Sequence, residues 1–370
     1  MKKNNTIMLV GGGTGGHSAP IFALFENLSK RKKDLDIHVV GVGSGEEKYF
    51  FSKIPNYHTV NSGKLHRYLT IKNLVEASKF ISGVIESLIL IKKIKPSIIF
   101  SKGGYVSLPV ITAANFLKIP YFIHESDIEM GKTNKMMSGN AKKVFVSFPV
   151  KYYSEIDDKK IIWSGPILRT DDNTNKSNRN YFGFSNNKPV IFLTGGSQGS
   201  LALTNALIAI ADKLLPRYNI IHQAGKHSIE VSKKFEATLN EANMSSYYLT
   251  DFLANENGVD MMWEAIKSAD LVITRAGSTI AEVAVLRKPM ILIPWKHAAQ
   301  NHQLKNAKYL VDNGAATMIS EDDFTSEALF DEIESSFSSI KNHTNSHKEL
   351  FPVDGVEVIS DNIIKEIEDK

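Results

Sequence analysis

The amino-acid sequence predicts two α/β domains, each built on a parallel β-sheet. Its 370 residues are enough for two domains with sizeable cores. Short apolar runs alternate with helical patterns in both halves, which is typical of parallel sheets covered by helices on both faces. Each half also begins with a strand, a glycine-rich loop and a helix, and the two loops lie at residues 11–16 and 195–200. Two such domains with facing glycine loops favour a ligand bound between them.

The first glycine loop, GGGTGG, follows an apolar strand at residues 6–10 and precedes a helix. We expect this helix to begin at Ala19, with Pro20 in its first turn. Glycines expose backbone N–H groups and permit positive φ, so the loop can curl around a phosphate at the positive end of the helix dipole. His17 ends the loop, and its unperturbed pKa of about 6.5 makes it a candidate for proton transfer.

A dinucleotide site is the alternative interpretation of this loop. The pattern G-x-G-x-x-G fits Gly11, Gly13 and Gly16, and most such loops bind NAD or FAD. These sites also need an acidic residue at the tip of the second strand, about 20 residues further on. The second predicted strand, residues 37–42, has no acid at its tip, although Glu46 is close. The loop alone therefore leaves both a phosphate site and an NAD site open.

Other strands of the first half also end in polar residues, where parallel sheets bind ligands. We expect these strands at residues 97–101, 121–124 and 144–147. The first is followed by Lys102 and two glycines, which form a second possible anion site. The second, which ends in His124, is followed by three polar residues: Glu125, Ser126 and Asp127. Helix capping explains the last two, but a functional site explains His124 and Glu125 together.

Composition excludes several classes of site. The chain has no Cys, so it can form no disulfide, thiolate nucleophile or Cys-based zinc site, which fits a reducing compartment. Its formal net charge of +4 is too small to indicate nucleic-acid binding. No apolar run is long enough for a signal peptide or a membrane-spanning helix. Asp34 and Asp36 form a D-x-D pattern, but they precede a strand, so we interpret them as part of a turn and expect no metal.

An amphipathic helix with basic ends is predicted within residues 62–95. Its apolar residues recur at helical spacing from Leu74 to Ile89. Basic residues flank it on both sides: Lys64, His66, Arg67, Lys72, Lys92, Lys93 and Lys95. A helix packed on the core, with lysines near its C-terminus, is the simpler interpretation. An apolar surface with a basic rim also suits an anionic membrane.

The polar, irregular residues 151–188 separate the two halves. Strands are expected at residues 189–194 and 289–294, and another ends at Thr274. A helix that starts near Gly277 can receive a phosphate at its N-terminal amides. Glu282 in this helix can accept hydrogen bonds from vicinal ribose hydroxyls. The closing residues 355–367 have apolar residues at helical spacing, which predicts a docking helix.

Taken together, these motifs resemble one enzyme family. They are GGGTGGH at 11–17, GGYVS at 103–107, HES at 124–126, GGSQG at 195–199, RAGSTIAE at 275–282 and PWKHAAQNHQLKNA at 294–307. The set is similar to the MurG family, the peptidoglycan N-acetylglucosaminyltransferases of glycosyltransferase family 28. The resemblance covers nearly the whole chain and implies an α/β GT-B fold, in which two Rossmann-like domains with parallel sheets face a central cleft.

The resemblance also implies a set of substrate-binding residues for UDP-N-acetylglucosamine. The matching positions are Thr14, Gly15, Gly16, Arg169, Ser197, Leu253, Gly277, Ser278, Thr279, Glu282 and Gln303. Leu253 would contact uracil through its backbone, and Glu282 would contact the ribose. Two positions depart from the family pattern. Asp127 stands where the family usually has Asn, and the loop from Arg275 to Glu282 is one residue shorter than usual, which shifts the register of the phosphate loop.

The implied reaction is an inverting, single-displacement transfer of N-acetylglucosamine. Its acceptor is the C4 hydroxyl of N-acetylmuramic acid in an undecaprenyl-diphosphate-linked muramoyl-pentapeptide, so lipid I becomes lipid II. A base must take the hydroxyl proton; His17 is the first candidate, with Glu125 and Asp127 as rivals. Arg275 and helix N-termini would stabilise the leaving UDP without a metal or a cofactor.

The resemblance divides the chain by role. Residues 1–164 would bind the acceptor and the membrane, residues 165–345 would bind UDP-N-acetylglucosamine, and residues 346–370 would return as a helix to the first domain. The protein would be cytoplasmic and peripheral on the inner face of the cell membrane, with no nucleic-acid partner. The alternatives are a glycolipid glycosyltransferase or UDP-N-acetylglucosamine epimerase of the same fold, an NAD-dependent dehydrogenase, and a non-catalytic sugar-nucleotide-binding scaffold.

Overall fold

The computed structural model divides the chain into two compact units. It describes residues 5–43, 45–63, 71–168, 177–256, 259–343 and 350–369. The first unit comprises Met1–Arg169 and Pro352–Lys370, and the second comprises Thr170–Phe351. The chain therefore leaves the first unit once and returns to it near its C-terminus.

A seven-stranded parallel sheet forms the centre of the first unit. Its strands are β1 (Thr6–Val10), β2 (Asp36–Gly41), β3 (Tyr57–Thr59), β4 (Ile98–Ser101), β5 (Tyr121–Glu125), β6 (Lys143–Val146) and β7 (Ile161–Trp163). They are hydrogen-bonded in the order β3-β2-β1-β4-β5-β6-β7. Strands β4 and β5 are buried along their whole length. This burial explains why each strand begins with three consecutive apolar or aromatic residues rather than an alternating pattern; Ser101, His124 and Glu125 are the polar residues at their ends.

The first helix begins earlier than the sequence predicts. The helices before the linker are α1 (Gly15–Arg31), α2 (Glu47–Phe51), α3 (Ile71–Ile94), α4 (Ser107–Phe116) and α5 (Lys132–Ser138). The expected start of α1 at Ala19 is wrong, because the N–H groups of His17 and Ser18 already bond to the Thr14 carbonyl at 3.1 and 3.0 Å. Pro20 therefore lies inside the helix, where its missing N–H removes one intrahelical hydrogen bond.

The second unit repeats this design with a six-stranded parallel sheet. The strands of the unit are β8 (Val190–Thr194), β9 (Asn219–Gln223), β10 (Tyr247–Thr250), β11 (Asn255–Glu256), β12 (Val259–Asp260), β13 (Leu271–Thr274), β14 (Met290–Leu292) and β15 (Thr317–Met318). The sheet order is β10-β9-β8-β13-β14-β15, and β11 and β12 form a separate antiparallel pair. The helices are α6 (Leu201–Leu214), α7 (Ile229–Glu236), α8 (Glu241–Met244), α9 (Met261–Ser268), α10 (Thr279–Val285), α11 (His302–Asp312) and α12 (Ser326–His343).

The predicted strands lie within two residues of the observed ones, but other strands were not predicted: the edge strands β3, β7, β10 and β15, the interior strand β9, and the β11–β12 pair. Strand β7 falls in the stretch predicted to be irregular, and β3 has three residues. Three-residue strands contain too few apolar positions to produce a recognisable periodic pattern. Their pairing with β6 and β2 is long-range, and it is decided by the sheet rather than by the local sequence.

The C-terminal helix α13 (Gly355–Glu368) belongs to the first unit, where it packs against α1 and β4. It buries its apolar stripe: Val356, Ile359, Ile363 and Ile367. Ion pairs Arg31–Asp361 and Lys142–Glu366 hold its polar side. Gly165 has φ of +78°, and a Cβ at this position would lie 2.2 Å from the Pro352 carbonyl oxygen. Glycine is therefore required at residue 165, where the first segment of this unit contacts the segment that returns to it at Pro352.

Candidate active site

Both sheets have a topological switch point, and the residues singled out by sequence gather around these points. In the first sheet β1 lies between β2 and β4, and in the second β8 lies between β9 and β13. The crevice outside the carboxyl ends of the strands at such a point is where open α/β sheets bind ligands. We call residues 11–17, 102–105 and 125–127 the first-sheet site, and residues 195–200, 275–282 and 293–303 the second-sheet site.

The glycine loop of the first-sheet site holds two carboxylates of its own chain. The Gly13 N–H donates to Glu47 Oε1 at 2.6 Å, and the Gly15 N–H donates to Glu46 Oε2 at 2.5 Å. The sequence predicts a phosphate at these amides, but in this structure carboxylates occupy them. The loop does bind anions, as glycine chemistry at a helix N-terminus requires; the anions come from the start of α2.

Glu47 clamps the glycine loop to the end of β2. Its buried carboxylate also accepts hydrogen bonds from the N–H groups of Val42 and Gly43 at 3.0 and 2.8 Å, and from the Tyr57 hydroxyl at 2.5 Å. Burial, together with this hydrogen bond, raises the pKa of Tyr57. The sequence pattern points to Glu46 only as an acid near the tip of the second strand in a possible dinucleotide site, and it does not single out Glu47. The acidic pair Glu46-Glu47 after the second strand was the available signal.

His17 lies against the turn that follows β4. Its Nδ1 is 3.0 Å from Thr14 Oγ1, and a Cβ on Gly104 would lie 3.2 Å from the imidazole Nε2. Burial, reinforced by the positive charge of Lys102, lowers the pKa of His17 to about 3. The expectation that this histidine titrates near neutrality is therefore wrong. It is unprotonated at pH 7, so a ring nitrogen can accept a proton, but it is a weak base.

Glu125 organises its own loop. One carboxylate oxygen accepts the N–H groups of Ser126 and Asp127 at 2.8 and 3.0 Å, and the other accepts the Gly131 N–H and the Asn134 amide at 2.9 and 2.8 Å. Burial and the neighbouring Asp127 raise the pKa of Glu125, while Lys102 and these hydrogen bonds oppose the rise. Two donors on each oxygen make Glu125 a loop-holding carboxylate and argue against its role as a catalytic base.

His124 and Asp127 take different positions around Glu125. The His124 side chain is buried, with Nε2 3.2 Å from the Gly165 carbonyl oxygen, so it belongs to the interior of the first unit. Its expected place in a site beside Glu125 is therefore wrong, because neighbouring residues of a strand point to opposite faces. Asp127 is half-buried, and its carbonyl oxygen accepts the Tyr153 hydroxyl at 2.8 Å. Asp127 thus stays at the strand end, next to the first-sheet site.

The second glycine loop is built by close backbone contact. Gly199 has φ of +81°, and a Cβ there would lie 2.2 Å from the Ala224 carbonyl oxygen. The Thr194 hydroxyl accepts the Gly196 N–H at 2.9 Å and donates to Gln223 at 3.1 Å, which ties the loop to β9. Ser197 is half-buried, and its carbonyl accepts the Lys226 N–H at 3.1 Å. The loop is thus a fixed turn, with Ser197 at its bend.

Arg275 joins three strand ends of the second-sheet site. Its guanidinium donates to Ser200 Oγ and to the Ile293 carbonyl, and pairs with Glu321, each at 3.0 Å. Burial lowers the pKa of Arg275 and Glu321 opposes this change. The expected direct contact with a leaving diphosphate is not favoured, because this guanidinium is already engaged and its charge is balanced. No local sequence pattern indicates Glu321, which lies 46 residues from its partner along the chain.

The remaining predicted residues of the second-sheet site lie on short elements. Ser278 is exposed, Gly277 and Thr279 are half-buried, and Glu282 is buried in the first turn of α10. Gln303, on α11, accepts the Trp295 N–H at 2.9 Å through its side chain. Leu253 is buried after β10. The structure therefore joins Gln303 to the end of β14, whereas Leu253 follows the edge strand β10; Arg169 lies outside the described residues.

The connection into α11 adopts an uncommon backbone. Gln300 and Asn301 have φ of 54° and 53°, the left-handed region that residues with a Cβ seldom adopt. Such strain is found chiefly where function requires it. It places the Gln303 helix directly beside the exposed Trp295.

Helix α3 has one buried and one exposed apolar face. Ser87 and Ile91 are buried against the unit. The opposite side shows three isoleucines four residues apart, Ile81, Ile85 and Ile89, which are 59, 53 and 64% exposed. We call these three the α3 stripe. Phe116, at the end of α4, is 78% exposed, and Lys92 and Lys93 are exposed beside the stripe.

The basic residues predicted before this helix, Lys64, His66 and Arg67, lie outside the described residues, as does the side chain of Lys72. No helix in the part of the chain described here has both the length and the apolar composition needed to cross a membrane. The simpler core-helix interpretation accounts for one face of α3 and leaves the α3 stripe unexplained.

Comparisons with known proteins place the whole chain in a sequence family. Residues 7–146 match the glycosyltransferase family 28 N-terminal domain, and residues 190–361 match its C-terminal domain. The chain is 35% identical to the UDP-N-acetylglucosamine–N-acetylmuramyl-(pentapeptide) pyrophosphoryl-undecaprenol N-acetylglucosamine transferase of Clostridium kluyveri, over 94% of this chain and 95% of the relative.

Solved structures share the fold. MurG of Acinetobacter baumannii superposes with a TM-score of 0.69 at 24% identity, over 97% of this chain and 99% of that one. The UDP-GlcNAc 2-epimerase of Neisseria meningitidis superposes with a TM-score of 0.65 at 14% identity, over 97 and 100% of the two chains. At these identities the likeness is one of fold.

Replacing Glu47 should destabilise the first-sheet site. In Glu47→Ala the Gly13, Val42 and Gly43 N–H groups lose a buried acceptor, and an unsatisfied buried donor costs about 1–3 kcal/mol. We expect the free energy of unfolding to fall by about 3 kcal/mol in urea titrations. Hydrogen exchange should accelerate in a peptide spanning residues 7–17.

Glu46→Ala is the control for this prediction, because Glu46 is half-buried and water can replace it. We expect it to change the free energy of unfolding by less than about 1 kcal/mol. Equal effects of the two substitutions would contradict the clamp role of Glu47.

Proposed function

The chain belongs to glycosyltransferase family 28, and we propose from this premise that its two sheets divide one transfer reaction between them. It is a UDP-N-acetylglucosamine-dependent transferase of peptidoglycan synthesis, which adds N-acetylglucosamine to the lipid-linked muramyl-pentapeptide and so converts lipid I to lipid II. Full-length similarity to transferases of this name, at 34–35% identity, is the observation on which this function depends.

We propose that the second unit binds the donor. Its glycine loop, the start of α10 and the beginning of α11 meet at one switch point, where a nucleotide diphosphate can reach helix N-termini. In this arrangement Ser197 and residues 277–279 contact the diphosphate, Glu282 contacts the ribose hydroxyls, and the Leu253 backbone contacts the base. Arg275 acts indirectly, because its bonds to Ser200 and the Ile293 carbonyl hold the glycine loop against the end of β14.

We propose that the first unit binds the acceptor and removes its proton. The C4 oxygen attacks the anomeric carbon, the bond from that carbon to the UDP oxygen breaks, and the hydroxyl proton passes to a base. His17 remains our first candidate, since its neutral imidazole can accept a proton at pH 7. Asp127 is the rival, while Glu125 holds the turn on which Asp127 lies.

We propose that the α3 stripe rests on the membrane that contains the lipid acceptor. Three exposed isoleucines on one helix face, with Phe116 exposed on α4, form an apolar surface whose exposure to water is unfavourable. Lys92 and Lys93 lie beside it, and each can add up to about 1 kcal/mol near an anionic lipid surface. Peripheral attachment at the cytoplasmic face fits an enzyme that takes its donor from solution and its acceptor from the bilayer.

The direct test of the function is transfer of labelled N-acetylglucosamine from UDP-N-acetylglucosamine to synthetic lipid I. His17→Ala should lower turnover by about 10²–10⁴-fold, the usual effect of losing a general base. Donor affinity should stay within a few fold. Because the pKa of His17 is about 3, wild-type turnover should show no loss near pH 6.5 from this group.

His38→Ala, which removes a partly exposed histidine of β2, is the matched control and should keep its turnover. If saturating lipid I restores full turnover to His17→Ala, this residue binds the acceptor and is not the base. In that case Asp127 becomes the next residue to replace.

Glu282 should decide donor affinity. Losing hydrogen bonds to a charged group costs about 1–3 kcal/mol, so Glu282→Ala should weaken UDP-N-acetylglucosamine binding roughly 5- to 150-fold in calorimetry. Glu327→Ala removes an acid from the first turn of another helix of the same unit and serves as the control. Equal donor affinity in wild type and Glu282→Ala would remove Glu282 from the ribose.

The α3 stripe should govern binding to anionic vesicles. The double substitution Ile81→Ser with Ile85→Ser removes two apolar contacts and should lower the partition coefficient about tenfold or more. Val231→Ser, which changes an exposed residue of α7, should have no effect. High salt should weaken binding of the wild type, since lysines contribute. Unchanged vesicle binding of the double variant would disprove the membrane role of the stripe.

A further inference from the structure

Lys102 is a buried cation that the motif-based list of site residues does not include. It follows β4 directly and is 4% exposed. Its Nζ donates to Ser126 Oγ at 2.5 Å, so the side chain crosses from the end of β4 to the turn after β5. Burying an ammonium group is costly unless other groups compensate its charge, and this position therefore requires an explanation.

The backbone brings Lys102 and His17 together around Gly11. At the point where a Cβ of Gly11 would lie, Lys102 Cβ is 3.1 Å away and the His17 carbonyl oxygen is 3.2 Å away. The same turn continues to Gly104, which lies against the His17 imidazole. Residues 102–104 thus enclose His17 on the side of β4, and the absence of side chains at Gly11 and Gly104 permits the close packing.

Charged and titratable groups surround this cluster from each neighbouring element. They are Glu125 and Asp127 after β5, the buried His124 of β5 itself, Tyr153 bonded to the Asp127 carbonyl, Glu46 and Glu47 on the loop amides, Tyr105 beside Gly13, and, at the far end of α1, Asp361 and Glu368 of α13 paired with Arg31 and Lys32. The charge of Lys102 is close enough to the imidazole to lower the pKa of His17.

We propose that Lys102 is a positioning residue for the transfer reaction: held by Ser126, its side chain ties the turn after β4, which packs against the His17 imidazole, to the turn after β5, which carries Asp127. This inference rests on the proposed function for its catalytic meaning. Burial lowers the pKa of both Lys102 and His17; Lys102 lowers that of His17 further, and the two carboxylates raise that of Lys102.

The consequence is that His17 stays unprotonated over a wide pH range but is a weak base. Burial first, and then the second positive charge that protonation would place near Lys102, keep the imidazole neutral as the pH falls below its usual pKa of about 6.5. A neutral ring nitrogen is therefore available to take the proton of the acceptor hydroxyl. Removing the ammonium should raise the pKa of His17 from its lowered value, while burial still holds it below its usual range.

Histidine NMR on the full chain tests the proposal without requiring activity. In wild-type protein labelled at histidine Cε1, the His17 signal, assigned by its loss in His17→Gln, should not move between pH 8 and pH 5. In Lys102→Met, which keeps the length of the side chain and removes the charge, the signal should begin to move at a higher pH than in the wild type when both titrations are continued to about pH 4, although burial still holds the pKa of His17 below its usual value. The pH profile of turnover should acquire a matching loss on the acid side.

Lys288→Met is the matched control, because Lys288 is a partly buried lysine of the second unit whose Nζ donates to the Lys267 and Ala269 carbonyls. It should leave the His17 signal unchanged. Ser126→Ala, which frees the ammonium without removing it, should move the titration in the same direction as Lys102→Met and serves if that variant does not fold. An unchanged His17 signal in folded Lys102→Met or Ser126→Ala would overturn the proposal. Absence of transfer in the wild type would instead disprove the proposed function.

Discussion

The first-sheet site and the second-sheet site both depend on the parallel pairing of strands around β1 and β8. A parallel sheet places all its carboxyl ends at one edge, and the reversal of strand order opens that edge beside the first strand of each unit. Loops that are far apart in the chain therefore meet there. Lys102 reaches Ser126, and Arg275 reaches Ile293, because the strands before these residues end at this edge.

Within the first-sheet site, hydrogen bonding and burial decide which polar groups remain chemically available. Glu47 and Glu125 lie at strand ends, as catalytic carboxylates often do, but each accepts several backbone or side-chain donors. Such carboxylates hold loops in place, because an accepted hydrogen bond favours the charged form and fixes its orientation. His17, in contrast, is unprotonated and available to accept a proton, but burial and Lys102 lower its basicity. The reactivity of this site therefore depends on the hydrogen bonds and charges around each of these groups.

The second-sheet site shows how a cation can act through structure. Arg275 has the residue type and position expected for contact with a diphosphate. Its planar guanidinium, however, already bonds to Ser200, Ile293 and Glu321. A bidentate guanidinium is well suited to join several strand ends at once. Anion binding then falls to the backbone of the glycine loop and the start of α10, which provide directed N–H groups without a mobile side chain.

The sequence by itself determined the two α/β units, most strands, and the loops that form the sites. These features are local: apolar runs, glycine loops and helical spacing appear within windows of about ten residues. The start of α1 was misplaced because Pro20 resembled a first-turn proline, although Thr14 already accepts helical hydrogen bonds. Only the tertiary structure decided that Glu47 occupies the glycine loop, that Lys102 reaches Ser126, and that Arg275 pairs with Glu321. These partners follow different strands of a sheet. Which polar groups meet depends on the order of the strands and the path of the loops, and no local sequence pattern contains this information.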